Sequence, residues 1–183
     1  MYAWQFAKAL HTSEKHGWTK FVTMQNHYNL LYREEEREMN PLCLEEGVGL
    51  IPWSPLAGGV LAGSREAGTV RSQSAMGRDR YRRPEDQAVL DALAKVAGAR
   101  GETRAQVAIA WLLSKPAVTA PIIGATRLHH LDDPLKAVES PLSADEIAAL
   151  EAPYAPQAVI GALKPGESPM RQPRPSERRR EAA

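Results

Sequence analysis

Residues 20–31 read KFVTMQNHYNLL, and this stretch decides the class of fold that the sequence predicts. Its first half, residues 20–25, has the apolar character of a short buried strand, and polar side chains follow it directly. Two later runs have the same form, GLIPW at residues 49–53 and TAPII at residues 119–123. We expect each run to be a strand, although Pro52 has no N–H to donate to a neighbouring strand.

Helical patterns separate these strands. Thr103 and Ser143 are of the residue types that cap helices, and Pro84 suits a first helical turn. Residues 54–83 form a long loop, and loops of more than about 15 residues are usually functional or mobile. The predicted helices are residues 2–16 (with Trp4, Phe6, Ala7 and Leu10 at helical spacing), 33–46, 84–100, a segment capped by Thr103, a short segment after Arg127, and a segment from Ser143 that contains Ile147, Leu150 and Tyr154.

Strands that alternate with helices predict an α/β fold, with right-handed crossovers and a parallel sheet whose ligand site lies at the carboxyl ends of the strands. Three parallel strands do not complete such a domain, so they belong either to one side of an open sheet or to part of a barrel. We assign residues 1–156 to the folded domain. Residues 157–183 are rich in proline and arginine and have almost nothing to bury, which predicts a disordered tail.

Composition excludes several classes of protein. The net charge is +1, so no overall field attracts nucleic acid or an anionic membrane. The single cysteine excludes an internal disulfide, and no apolar run approaches the roughly 20 residues that span a bilayer. The amino end lacks the pattern of a signal peptide, so we expect a cytoplasmic protein. An arginine-rich tail that binds RNA or phospholipid is an alternative, but a solvated tail is favoured beside a nearly neutral domain.

Three stretches that follow the predicted strands carry the candidate chemistry, at residues 24–31, 52–59 and 123–127. Taken singly, each has an ordinary structural interpretation. Gln25 fits a hydrogen-bonding loop residue, Trp53 fits a core residue, and the Gly-Ala-Thr-Arg turn fits a helix cap.

Together, in this order and spacing, the stretches resemble the aldo-keto reductases, and in particular their bacterial and potassium-channel-β-like branch. The resemblance runs from Met1 to about Pro156. It includes WQF at residues 4–6, QNHYNLL at 25–31, WSPL at 53–56, AQVAIAWLL at 105–113 and PIIGA at 121–125. It implies the C-terminal part of a (β/α)8 TIM barrel, an incomplete barrel, in a family that reduces aldehydes and ketones with NADPH.

The resemblance also implies a set of NADP(H)-binding residues. Gln25 would hydrogen-bond the nicotinamide carboxamide, and Trp53 would stack on the nicotinamide ring. The guanidinium of Arg127 suits the adenosine 2′-phosphate, which favours NADP(H) over NAD(H). The positions assigned to the pyrophosphate are Ser54, Leu56, Gly58 and Arg65, and those assigned to the adenosine phosphate and adenine are Gly124, Ala125, Thr126, Arg127, His130 and Asp133.

Two departures from the family pattern weaken this set. Pro134 stands where relatives have an asparagine, and proline cannot hold the adenine amino edge. Ser64 stands where relatives have a lysine, so the neighbouring Arg65 is the candidate replacement for that pyrophosphate contact.

No catalytic residue and no metal ligand are assigned. The tyrosine, lysine, aspartate and histidine that reduce carbonyls in this family belong to its first four strands, which we expect to lie upstream of this sequence. Tyr28 and Tyr32 lie in a segment that is structural in the family, and His27 has no lysine and aspartate partners nearby in sequence. Reduction needs a proton donor beside the carbonyl oxygen, so we expect a truncated or split reductase that is inactive alone.

The alternative function is a non-catalytic module that senses NADP(H) or binds another protein. A three-strand remnant of a barrel exposes a sheet edge, so we expect it to associate with the missing N-terminal half or with itself. The substrate and the oligomeric state are left open by the sequence.

Overall fold

The computed structural model of the chain describes residues 1–63, 81, 83–125 and 128–159, with the backbone alone at residue 129. Four residues named above, Ser64, Arg65, Thr126 and Arg127, lie outside the described residues, as do residues 160–183 of the predicted tail.

A small parallel sheet organises the fold, as the sequence predicts. Strands β1 (Thr23–Met24) and β2 (Gly49–Leu50) pair in parallel, with Thr23 opposite Gly49 and Met24 opposite Leu50. On the other side of β2, Val118 forms a parallel bridge to Leu50. Residues 117–122 therefore run beside β2 as a third parallel segment. The barrel to which such a sheet would belong stays a prediction.

The third segment is less regular than the predicted strand at residues 119–123. The N–H groups of Thr119 and Ile122 donate to the carbonyls of Leu50 and Pro52, each at 2.8 Å. Pro121 lies between them and has no N–H, so the ladder is interrupted. Pro52 keeps its place in the sheet because it contributes its carbonyl rather than an N–H.

Six helices and three 3₁₀ turns surround this sheet within the described ranges. The helices are α1 (Ala3–Lys15), α2 (Met39–Glu45), α3 (Asp86–Arg100), α4 (Arg104–Leu113), α5 (Asp132–Val138) and α6 (Ala144–Glu151). The 3₁₀ turns are Glu34–Glu36, Ala57–Ala62 and Leu128–Leu131. No helix within the described ranges is long and apolar enough to cross a membrane.

The predicted caps of α4 and α6 are confirmed. The Thr103 hydroxyl accepts a hydrogen bond from the N–H of Gln106 at 3.0 Å. Ser143 and Glu146 form a capping box, in which each side chain accepts from the other residue's N–H. Pro84 precedes α3 by two residues instead of opening it, and the carboxylate of Asp86 accepts from the N–H of Arg83 at 3.2 Å.

The structure corrects the predicted helix over residues 33–46, which is a 3₁₀ turn followed by the shorter α2. Tertiary contacts break it, because Glu34 is almost fully buried and accepts hydrogen bonds from the Tyr154 hydroxyl and the Gln157 N–H, both at 2.8 Å. Tyr154 was also predicted inside the last helix but lies beyond it, since α6 ends at Glu151 and Pro153 cannot continue the helical bonding.

The packing of α1 differs from its predicted apolar face at one position. Phe6 and Leu10 are 3% and 2% exposed, as expected for core residues, but Trp4 is 59% exposed. Trp4 therefore faces away from the core that α1 shares with α2. Members of that core are Ala3, Phe6, Leu10, Met39, Cys43, Val48 and Leu50.

A larger core lies under α3, α4 and the segment after β1. Trp111 of α4 is fully buried, and its ring centroid lies 5.3 Å from that of Tyr28. Other members include Leu30, Leu31, Ala57, Leu61, Tyr81, Val89, Leu93, Val107, Leu112 and Leu150. Because Tyr28, Leu30 and Leu31 come directly after β1, this core holds the carboxyl end of that strand in place.

A cluster of charged groups fastens the C-terminal segment to the segment after β1. The guanidinium of Arg33 forms a double hydrogen bond to Glu36, at 2.9 and 2.7 Å, and another to Glu151 at 3.0 Å. It also lies over the rings of Trp111 and Tyr154, 5.6 and 5.2 Å from their centroids. Arg33, Glu36, Glu151 and Tyr154 line a cleft of about 350 Å³ whose charges already pair with one another, so we assign it a structural role.

Glu151 is the shared acceptor of this cluster. Its carboxylate accepts hydrogen bonds from Lys115 and from the Trp111 indole N–H, the latter at 2.9 Å. Burial opposes its ionisation, but these bonds and the charge of Arg33 outweigh that effect and hold the pKa of Glu151 below its usual range.

This lowered pKa predicts a specific loss of stability in acid. A carboxyl group whose pKa is lower in the folded state stabilises the fold above its unfolded pKa of about 4.3, and that contribution disappears as the pH falls through the folded pKa. Glu151→Gln should lower the unfolding free energy at neutral pH by about 2 kcal/mol and flatten its decline below pH about 4. Urea denaturation across this pH range measures both effects.

The matched control is Glu139→Gln, which changes an exposed glutamate at the end of α5. It should leave the pH dependence of wild type unchanged. Equal acid slopes in wild type and Glu151→Gln would show that Glu151 does not contribute to acid stability.

Candidate functional site

The carboxyl ends of the three parallel segments meet at one edge of the sheet. Beyond β1 and β2 the pairing continues, since the N–H of Trp53 donates to the carbonyl of Asn26 at 2.9 Å and His27 bridges Trp53 in parallel. The third segment extends to the same edge, since the N–H of Ile122 donates to the carbonyl of Pro52, the residue before Trp53. Stretches that are far apart in sequence are thus brought side by side, as the βα arrangement predicts.

The predicted nicotinamide residues lie at this edge. Gln25 is exposed directly after β1, and Trp53 is half-buried directly after the paired part of β2. Gly124 and Ala125 are both exposed just beyond the third segment. Leu56 is half-buried and packs against the larger core, so its side chain anchors the turn that follows Trp53.

The turn after Trp53 has an unusual backbone. Ser54 and Ala57 have φ of 55° and 50°, in the left-handed region that residues with a side chain seldom adopt. Gly58 follows with φ of 66°, and a Cβ there would meet no heavy atom within 4 Å, so glycine is required by conformation instead of by crowding. Strain of this kind is found at functional sites, where surrounding contacts hold it in place.

Three aromatic rings stack behind the candidate nicotinamide position. The imidazole of His27 lies between the indole of Trp53 and the phenol ring of Tyr32, with centroid distances of 4.1 and 4.2 Å. The planes of both pairs are nearly parallel, with interplanar angles of 13°. His27 is 4% exposed and Tyr32 is fully buried, so the half-buried Trp53 is the outer ring of the stack.

A buried polar cluster holds this stack and the strained turn together. The Nε2 atom of His27 lies 2.5 Å from the hydroxyl of Tyr81. The amide nitrogen of Asn29 donates to the carbonyl of Ser54 at 2.9 Å and to the Tyr81 hydroxyl at 3.3 Å. The amide oxygen of Asn29 accepts from the N–H of Leu31 at 2.9 Å. A single side chain therefore connects the ring stack to the turn.

Sequence reasoning missed this cluster. No lysine and aspartate partners lie near His27 in sequence, whereas its partner in the structure is Tyr81, 54 residues away. Tyr81 falls in a stretch of the chain without hydrophobic periodicity, so no local pattern marks it. The alternation of polar side chains at residues 25, 27 and 29 is a signal that could have marked this place.

The remaining predicted site residues lie apart from this cluster. His130 is exposed in the 3₁₀ turn Leu128–Leu131, and Asp133 is half-buried in the first turn of α5. Pro134 is in the first turn of the same helix, where proline is tolerated. Arg65, Thr126 and Arg127 lie outside the described residues.

Comparisons with known proteins place the chain in a family. A family model for the aldo/keto reductase family matches residues 1–155. Versiconal hemiacetal acetate reductase of Aspergillus parasiticus is 43% identical over 174 residues, which cover 91% of this chain and 49% of that protein. An aldo-keto reductase of Alternaria alternata is 44% identical over 159 residues, covering 86% and 43% of the two chains. An aldo-keto reductase of Fusarium vanettenii is 42% identical over 165 residues, covering 88% and 44%.

The chain spans about half the length of the curated relatives it matches. The matched region includes all three strand ends and all six helices described above. The resemblance that the sequence predicts is confirmed at the level of the family, while the bacterial and potassium-channel-β-like branch and the restriction to a C-terminal half stay predictions. The chain belongs to the aldo/keto reductase family.

Proposed function

We propose that this chain is the NADP(H)-binding part of an aldo-keto reductase that reduces aldehydes or ketones, and that it corresponds to the C-terminal half of the family's barrel. The observation that carries the proposal is the edge where Gln25, Trp53 and the strained turn from Ser54 to Gly58 lie together. Family membership supports the oxidoreductase chemistry. The proposed branch is the bacterial and potassium-channel-β-like one.

The nicotinamide end of the site is proposed at Gln25 and Trp53. The exposed carboxamide of Gln25 has both a donor and an acceptor, which match those of the nicotinamide carboxamide. Trp53 offers a flat π surface whose plane is held by His27, and such a surface suits an aromatic ring. When bound, the cofactor supplies the hydride, and these residues orient the ring from which it leaves.

The phosphate end is proposed at the two turns beyond the strand ends. Positive φ angles at Ser54, Ala57 and Gly58 change the direction of successive N–H groups, and such turns make concave anion sites. Leu56 anchors the first turn from behind. We assign Arg65 to the pyrophosphate and Gly124, Ala125, Thr126 and Arg127 to the 2′-phosphate, with His130 and Asp133 toward the adenine.

We also propose that the chain does not reduce carbonyls by itself. Reduction needs a proton donor within hydrogen-bond reach of the carbonyl oxygen. In the part of the chain that the structure describes, the hydroxyls of Tyr28, Tyr81 and Tyr154 are bonded to Glu36, His27 and Glu34. These bonds hold all three hydroxyls in buried or half-buried clusters, so we propose that the proton comes from residues supplied by another polypeptide segment.

A second proposal is a protein-binding role, with or without NADP(H) sensing, at the edge of β1 that has no partner strand among the described residues. Phe21 and Val22, directly before β1, are 53% and 73% exposed. Trp4 of α1 and Trp18, between α1 and β1, are 59% and 63% exposed. An apolar strand edge of this kind favours pairing with another strand, from the remaining half of a reductase or from a second copy of the chain.

Cofactor binding tests the first proposal directly. Calorimetric titration of the full chain with NADPH should give a Kd below about 1 mM. The same titration with NADH should give a higher Kd. Trp53→Ala should weaken NADPH binding about tenfold because the stacking surface is lost. Trp18→Ala is the matched control, since it removes an exposed tryptophan away from the strand ends. Equal affinity in the wild type and Trp53→Ala would contradict the assigned nicotinamide site.

Turnover assays test the proposed dependence on another segment. The chain alone, mixed with NADPH and a panel of aromatic and aliphatic aldehydes, should show no reduction above the uncatalysed rate, since the hydroxyls of Tyr28, Tyr81 and Tyr154 are already bonded to neighbouring side chains. The measurement is the loss of NADPH absorbance at about 340 nm. Steady turnover by the isolated chain would contradict this part of the proposal.

Sedimentation tests the protein-binding edge. The chain should associate at concentrations of about 10–100 μM, and Val22→Lys should shift it to monomers because charge on a strand edge opposes pairing. Leu44→Lys is the control, since Leu44 is 57% exposed but belongs to helix α2 and not to a strand edge. A wild-type chain that is monomeric throughout this range would exclude self-association through the edge.

A further inference from the structure

The buried cluster around His27 is the feature of the molecule that neither family membership nor the proposed contacts to NADP(H) account for. It combines a nearly enclosed histidine, a tyrosine hydroxyl at 2.5 Å and an asparagine whose amide reaches both that hydroxyl and the strained turn. His27, Asn29 and Tyr81 are 4%, 0% and 4% exposed. None of them is open to a substrate, so their effect must act through a neighbour.

That neighbour is Trp53. Its indole lies against the His27 imidazole at a centroid distance of 4.1 Å and an angle of 13°, so the plane of the imidazole sets the plane of the indole. Tyr32 supports the other face of the imidazole at 4.2 Å. The imidazole is held by Tyr32 on one face and by Tyr81 at its edge, so it has little freedom to tilt. In an interior packed this closely, a displacement of the imidazole passes to the neighbouring indole.

The hydrogen bonds define the orientation of the His27 ring. The amide nitrogen of Asn29 can only donate, and it lies 3.3 Å from the Tyr81 oxygen and 3.4 Å from Nε2 of His27. The Tyr81 oxygen therefore accepts from Asn29, and it also lies within hydrogen-bond distance of Nε2 of His27. The edge of the imidazole is thus held in the interior, where a lost hydrogen bond is costly.

We infer that His27 is a positioning residue: Tyr81 and Asn29 clamp its imidazole, and the imidazole sets the plane of the Trp53 ring on which the nicotinamide rests. The inference rests on the proposed function, since Trp53 matters as a platform only if NADP(H) binds there. Asn29 extends the effect to the phosphate end, because the same amide holds the carbonyl of Ser54.

Fluorine NMR of the full chain labelled with 5-fluorotryptophan tests the positioning directly. The chain has four tryptophans, and Trp53→Phe identifies the Trp53 resonance. Tyr81→Phe removes only the hydroxyl that orients His27, and His27→Leu removes the ring. Each should displace the Trp53 resonance by more than its line width and leave the others in place.

Tyr28→Phe is the matched control. It also removes a buried tyrosine hydroxyl, but that hydroxyl bonds to Glu36 and the ring packs on Trp111 instead of Trp53. It should leave the Trp53 resonance unchanged. In calorimetric titrations, Tyr81→Phe should raise the Kd for NADPH about three- to tenfold, the range expected for one hydrogen bond, whereas Tyr28→Phe should leave it unchanged.

The two proposals fail in different ways. A Trp53 resonance that is unmoved in Tyr81→Phe would overturn the positioning role of His27, whether or not His27→Leu folds. A wild-type chain that binds no NADPH would contradict the proposed function, and the fluorine spectra, recorded without cofactor, would still decide whether His27 sets the Trp53 ring. A purely structural role would lower the thermal stability of both tyrosine variants without a specific change at Trp53.

Discussion

The parallel pairing of β2 with a neighbour on each side is the constraint on which the rest of the structure depends. Leu50 donates its N–H to Ala117 and accepts from Thr119, while Gly49 donates to Val22 on the other side. Gly49 has to be glycine, because a Cβ there would collide with the side chain of Thr119. This close approach fixes the register of the three segments, and the register decides which residues meet at their carboxyl ends.

The site at that edge combines local strain with buried support. Left-handed backbone at Ser54 and Ala57 costs on the order of 1 kcal/mol or more for each residue. The opposing contacts are the bond from Asn29 to the Ser54 carbonyl and the complete burial of Ala57 in the larger core. Because the same Asn29 contacts the Tyr81 hydroxyl, the turn and the ring stack form one unit. An aromatic platform that is ordered in advance loses less entropy when a flat ligand binds.

The charged cluster around Arg33 joins segments of the chain that are distant in sequence. It joins the segment after β1 to the chain that leaves α6, through Glu151 and through the bond from the Arg33 N–H to the Tyr154 hydroxyl at 2.9 Å. Residues 33–46 have the composition of an exposed helix, rich in glutamate and arginine. Glu34 is instead drawn into the interior by partners more than 100 residues away, and the helix gives way to a 3₁₀ turn.

The sequence by itself determined the alternation of strands and helices, the caps at Thr103 and Ser143, the membership of the family, and the positions of Gln25 and Trp53 beyond strand ends. Each of these depends on local patterns, in which a few consecutive residues hold the information. Only the tertiary structure decided that His27 is bonded to Tyr81, that Ser54 is strained, and that Tyr154 leaves the last helix. Those features depend on contacts between residues 25 to 121 positions apart, and no local periodicity records such pairings.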